Sequence, residues 1–303
     1  MFGANTLSIY VFFTLFCWAI WGIIDKKALT HAKQEDVMMR LYVLVYLWIP
    51  TNFFLLNYFE PGWKLNGNVI FWSGLASAAY LVALLAYLAA MNMSEASFVL
   101  GMTAAYPLVF QFLANVVLGE ALVPERLIGA LIIGAGLFLI SSTRSGSSET
   151  EGQVQTGKLP DLRLLVYVIT ATLTWGVYGI FDKKAVATGS PLLVFFSKTL
   201  WDGLFFFVLL AVYKLQKKQI DWKNKLAWAY CGFSESLLGI GGLTYLAALS
   251  MASASYVITI TGCYPLLMYL FALWLLKERF NRMRFAGILL VVVGGALVQL
   301  TAG

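Results

Sequence analysis

A chain of 303 residues that is 60% hydrophobic, 12% charged and +0.80 in mean hydropathy has the composition of a membrane protein, not of a soluble domain. Its net charge of +6 is scattered among apolar runs, so no solvated basic face exists to hold nucleic acid, and the charge is read as loop charge that sets membrane orientation. Cys17, Cys231 and Cys263 fall inside apolar runs without C-x-x-C spacing and the single histidine, His31, lies in a polar loop, so the thiols read as structural and no metal or other cofactor is expected.

Crossing a hydrocarbon layer takes roughly 20 apolar residues in a helix. Segments at about 7–24, 41–59, 69–91, 96–119 and 127–142 qualify or nearly qualify in the first half, and 164–181, 191–213, 226–251, 254–276 and 285–301 in the second. The first has no basic stretch before it and no small-residue cleavage site after it, so it is expected to be retained. Residues 141–161, SSTRSGSSETEGQVQTGKLPD, read as a flexible linker. The expected organisation is a five-helix unit at 1–143, linker at 144–161 and a second five-helix unit at 162–303.

The two units are copies. Trp18-Ala-Ile-Trp-Gly-Ile-Ile-Asp-Lys-Lys-Ala28 returns as Trp175-Gly-Val-Tyr-Gly-Ile-Phe-Asp-Lys-Lys-Ala185 with seven of eleven positions identical, and a shift of 158 gives 19 identities over residues 87–136. That shift places Tyr106-Pro107 on Tyr264-Pro265, Glu120 on Glu278, Arg126 on Arg284 and Gly129 on Gly287. Because each copy holds an odd number of helices, the second enters the membrane from the opposite side, which is the inverted repeat of many secondary transporters. Sixteen basic residues follow the odd-numbered segments against four after the even-numbered ones, which places both termini outside.

Charge inside a spanning helix is costly unless it faces protein or water, so each such residue is a functional candidate. Lys198 and Asp202 stand one turn apart on one helical face and can pair, or serve substrate or protons. Arg40 is Lys198's counterpart, and snorkelling to the interface suits it better than Lys198. Glu235 stands where the other copy has Ser77, on a face reading Trp228, Gly232, Glu235, Gly239, Gly242. Two readings are open for it, a proton- or substrate-coupling carboxyl and a buried pair with Lys198. Pro107 and Pro265 free the carbonyls of Thr103 and Thr261, giving packing kinks or gating bends. Trp18, Trp21, Trp175 and Tyr178, with Tyr106 and Tyr264 of the Tyr-Pro pairs, recur in step, as a cavity wall that stacks on a solute or as interface anchors. Asp25, Asp182, Glu120, Glu278, Arg126 and Arg284, near helix ends, read as structural pairs or caps.

Two five-helix copies, each opening on Trp-x-x-x-Gly (Trp18, Gly22; Trp175, Gly179) and carrying Tyr-Pro, then Glu, then Arg-x-x-Gly, resemble the EamA-domain pair of the ten-helix branch of the drug/metabolite transporter superfamily. The resemblance implies an all-α integral membrane fold of ten helices and a central cavity with alternating access. It also implies termini in the cytoplasm, opposite to the basic-residue count. The expected function is secondary transport of a small organic solute, an amino acid or related metabolite first, with proton coupling through Glu235, in a multi-pass membrane protein that would sit in the inner membrane of a bacterium. A choline-like cation is the alternative, and a non-transporting receptor or scaffold the rival of another class. Lipid, a small-molecule substrate and protons are the expected partners of a monomer or weak homodimer, and no catalytic residue is assigned.

Overall fold

The computed structural model describes every residue except 1, 95, 104, 122, 143–161, 276–280 and 301–303, so the expected linker and Glu278 lie outside the described residues, as does the side chain of Arg284. Among the described residues the chain is helical and has no strand. The helices are α1 (Phe2–His31), α2 (Gln34–Phe59), α3 (Gly67–Met93), α4 (Ala96–Thr103), α5 (Tyr106–Leu113), α6 (Pro124–Ser142), α7 (Leu162–Val186), α8 (Pro191–Leu215), α9 (Lys225–Met251), α10 (Ala254–Thr261), α11 (Tyr264–Leu275) and α12 (Arg282–Gln299). Helix falls within each stretch expected to be apolar helix, and six stretches among the described residues are long and apolar enough to cross a membrane.

The expected boundaries move outward, because polar residues at the ends act as caps. Asn66 accepts from Val69 N at 2.8 Å and Asn224 from Ala227 N at 3.0 Å, starting α3 and α9 two residues earlier than apolarity alone suggests for α3. The ends of α1 and α7 run past the Asp-Lys-Lys clusters, because those lysines find carbonyls. Lys26 Nζ donates to Met91 O and Ser94 O (2.6 and 2.8 Å), and Lys183 Nζ donates to Leu249 O and Ala252 O (2.7 and 2.8 Å). Each ammonium thus closes the carboxyl end of a helix, where the backbone is partly negative.

Both Tyr-Pro sites interrupt their helices outright. Proline lacks the N–H that would bond four residues back, so α4 stops at Thr103 and α10 at Thr261, each followed by a turn before the next helix begins at tyrosine. The hydroxyls of Thr103 and Thr261 turn back to Val99 O and Val257 O, both at 2.8 Å. After α5 a π-helical turn, Ala114–Leu118, closes on Gly119, whose φ of 67° suits a residue without a side chain.

Helices of one sequence half pack mainly on those of the other. α1 lies antiparallel on α9, with Thr14 against Thr244 (2.9 Å) and Asp25 against Ser234 (2.6 Å). The matching pair is α3 on α7, where Tyr87 meets Trp175 and Tyr80 meets Tyr178 with ring centres 5.4 and 5.8 Å apart. α2 packs on α8, and α6 crosses α12 at glycines: a Cβ on Gly129 would stand 2.9 Å from Gly294 O, and one on Gly136 would stand 2.5 Å from Gly287 O. Side chains are absent there so that the backbones can touch.

Candidate functional site

A cavity with about 1080 Å³ of empty space, its mouth included, lies where α1, α2, α3, α7, α8 and α9 converge. Its wall is largely aromatic. Trp18 stacks obliquely on Tyr245 (5.3 Å) and meets Tyr264 edge-on (6.0 Å), while Trp175 meets Trp21 and Tyr106 edge-on at 6.5 and 6.3 Å. Trp48 of α2 fits flat on α9 because position 239 is glycine; a Cβ there would stand 2.1 Å from the indole.

The charged lining comes only from α8 and α9: Lys198, Asp202 and Glu235. α2 and α3 contribute Leu41, Tyr42, Val45, Trp48, Tyr80 and Leu84 on the facing side. The cavity therefore has one charged wall and one aromatic and apolar wall. Lys198 is already engaged, donating to Asp182 Oδ1 and to the Tyr178 hydroxyl, both at 2.7 Å, with its ammonium 4.2 Å from the Tyr178 ring centre. Asp202 has Ser77 beside it and one oxygen, Oδ1, without a partner. Glu235 is half-buried at the cavity edge and makes no hydrogen bond or ion pair among the described residues. A cluster able to hold a metal ion is absent among the described residues.

Of the residues singled out in the sequence, Glu235, Lys198, Asp202, Trp18, Trp21, Trp175, Tyr178, Tyr106 and Tyr264 come together on this one cavity. Arg40 does not. It is fully buried near the start of α2, donates through Nη2 to the carbonyl of Asp221 in the α8–α9 connection, and lies 5.5 Å over Trp228, away from the cavity lining. The two expected partners of Lys198 also need correcting. Its ammonium is drawn to Asp182 across on α7 and not to Asp202 on its own helix or to Glu235, because Asp182 is fully buried and has no other cation. Pro107, Thr103 and Thr261 do not line the cavity; with Pro265, whose side chain lies outside the described ones, they flank the two helix breaks.

Glu120 caps α10, and Arg126 ties to the serines at its start. Glu120 accepts from Ala254 N (2.8 Å) and Ser255 N (3.1 Å) at the start of α10, and Arg126 reaches Ser253 Oγ at 2.7 Å. Sequence reasoning missed Tyr42, Trp48, Tyr80, Thr199 and Tyr245 as lining residues. For α2 a signal was present, since Leu41, Tyr42, Val45 and Trp48 follow helical spacing on one face.

In sequence, no curated protein matches this chain. A solved structure described only as "Crystal structure of protein" superposes with a TM-score of 0.73 at 14% identity, covering 98% of this chain and 98% of its own, which is a likeness of fold. The description "EamA-like transporter family" matches residues 162–300, from the start of α7 into the end of α12. Residues 162–300 are an EamA-like transporter family domain, and the chain is a multi-pass transmembrane protein.

Proposed function

We propose that this chain is a secondary carrier of a small organic cation, an amine with an apolar or aromatic body, moved by alternating access in exchange for protons. The observation that carries the reading is the charge layout of the cavity: two carboxyl groups, Asp202 and Glu235, line it, while its one lining cation is taken by Asp182 and Tyr178. A zwitterion would bring a carboxylate to a wall with no cation left for it. An ammonium ion satisfies the carboxyl groups and rests on aromatic faces, whose negative π surfaces attract it. Its apolar body then lies against Tyr42, Trp48, Tyr80 and Leu84.

Glu235 is the group we assign to coupling. With a proton it is neutral and lets the amine go; without one it holds the amine, so the two compete for one site. The antiparallel crossings of α1 on α9, α3 on α7 and α6 on α12 support two inverted copies, and with them ten spans. The helix breaks before Tyr106 and Tyr264 provide two equivalent places where the cavity wall can bend.

Purified protein in liposomes tests this with radiolabelled choline, tyramine and tyrosine, with and without a proton gradient. Uptake of choline or tyramine that accelerates with a proton gradient directed against it, and that disappears in Glu235→Gln, is the expected result. Transport of tyrosine in preference to tyramine would overturn the cation reading, and no flux of any probe would overturn the carrier.

A further inference from the structure

Each copy places an acid and a base at equivalent points, and only one of the two pairs is made. In the second copy Asp182 of α7 and Lys198 of α8 are joined at 2.7 Å. Their equivalents are Asp25 of α1, from the repeated Asp-Lys-Lys, and Arg40 of α2. Both are fully buried. Yet Lys198–Asp182 and Lys218–Glu35 are the ion pairs found among the described residues, and Asp25 and Arg40 are not joined.

Each is held in a substitute seat. Asp25 accepts from Ser234 Oγ at 2.6 Å, and its second oxygen faces the Trp21 side without a hydrogen bond of normal geometry. Arg40 gives Nη2 to the Asp221 carbonyl and lies over Trp228, while Nε and Nη1 have no partner. Cys231 lies within electrostatic reach of both charges. The seats belong to this copy alone, because Ala76 stands where Ser234 does and Ile70 where Trp228 does. Buried charge left incompletely satisfied is expensive.

We propose that Asp25 and Arg40 are a latent ion pair, positioning residues that join when the cavity changes the face to which it opens, as Lys198 leaves Asp182. The inference rests on the carrier reading above. It also supplies a release step. Lys198 freed from Asp182 stands one helical turn from Asp202, so its ammonium takes one of the two carboxylates that held the substrate amine. Opening and release are then one event, and the number of charges in the membrane does not change.

Native Cys231 reports the exchange, since Arg40 leaving its place over Trp228 uncovers the thiol one turn further along α9. In full-length protein with Cys17→Ala and Cys263→Ala, labelling of Cys231 by N-ethylmaleimide in liposomes is measured beside tyramine flux. Asp25→Asn keeps the shape but removes the destination, and is expected to slow labelling at least fivefold and flux at least tenfold. Asp182→Asn, which removes the rival pair, is expected to speed labelling at least fivefold. Arg40→Lys is expected to keep half the flux or more, and Arg40→Gln to lose it as Asp25→Asn does. Equal labelling in Asp25→Asn and Asp182→Asn, or unchanged flux in Asp25→Asn, overturns the proposal. If Asp25→Asn elutes as aggregate, equal flux in Arg40→Lys and Arg40→Gln overturns it instead. Opposite labelling shifts in a parent that moves no probe would support the pairing while defeating the carrier reading.

Discussion

Asn224 donates its side-chain amide to the carbonyl of His31 at 2.7 Å, and 158 residues earlier Asn66 does the same to Thr188 at 3.0 Å. Each asparagine also caps the helix that follows it, α9 or α3, through its side-chain oxygen. One side chain thus starts a helix and ties it to the end of a helix from the other sequence half. Loss of such a cap costs about 1 kcal/mol. Asn66→Ala and Asn224→Ala are each expected to lower the melting temperature in detergent, and the double variant by close to the sum, since independent sites add. A double variant no worse than either single would show the two ties to be coupled.

Removing one member of the Lys198–Asp182 pair leaves the other buried alone. Asp182→Ala is expected to destabilise by about 3–5 kcal/mol, and the double variant Asp182→Ala with Lys198→Met to recover most of it, because two apolar side chains replace two charges. Thermal unfolding of the four proteins gives the interaction directly. A double variant as unstable as Asp182→Ala would show that Lys198 is not the reason.

The close seat of Trp48 on Gly239 separates two glycines that sequence treats alike. Gly239→Ala drives a methyl to within 2.1 Å of the indole, whereas Gly242→Ala meets Phe195 at 3.6 Å, an ordinary contact. Gly239→Ala is expected to displace Trp48 into the cavity and weaken amine binding at least tenfold, with Gly242→Ala near the parent. Isothermal titration with tyramine measures both.

At the α6–α12 crossing the neighbour of Gly136 is a backbone carbonyl, which cannot step aside, and at Gly134 it is the tip of Leu108 at 3.3 Å. Gly136→Ala is therefore expected to destabilise by about 1–3 kcal/mol, the range for overpacking a filled interior, and Gly134→Ala by much less. Unfolding followed by fluorescence in detergent distinguishes them.

Much of this was legible before any coordinates. The helical stretches follow from length and apolarity and the two copies from the repeat, because each depends on spacing alone, whereas which helices pair across the halves was not read from the sequence. The cavity's aromatic wall was legible for the same reason: Trp18 and Trp175 are in step. Partners of the charges were not. Spacing offered Asp202 to Lys198, four residues on, but the contact that forms lies sixteen residues back on another helix, set by which carboxyl is fully enclosed. Arg40 shows the limit most plainly. Its register matches Lys198, yet it is held by Trp228 and a loop carbonyl that nothing in the repeat marks, since the other copy has Ile70 and Trp63 there.

The one-sided distribution of charge around the cavity has a consequence for how such a chain diversifies. The Trp18 and Trp175 rings and the Asn66 and Asn224 ties occur in both copies. Among the described residues, the charged side chains that line the cavity stand on α8 and α9, in one copy alone. On the carrier reading proposed above, a handful of changes in these two neighbouring helices would alter the charge that a solute meets while the rest of the wall stays as it is. Two like halves thus enclose a cavity whose charge comes from one of them.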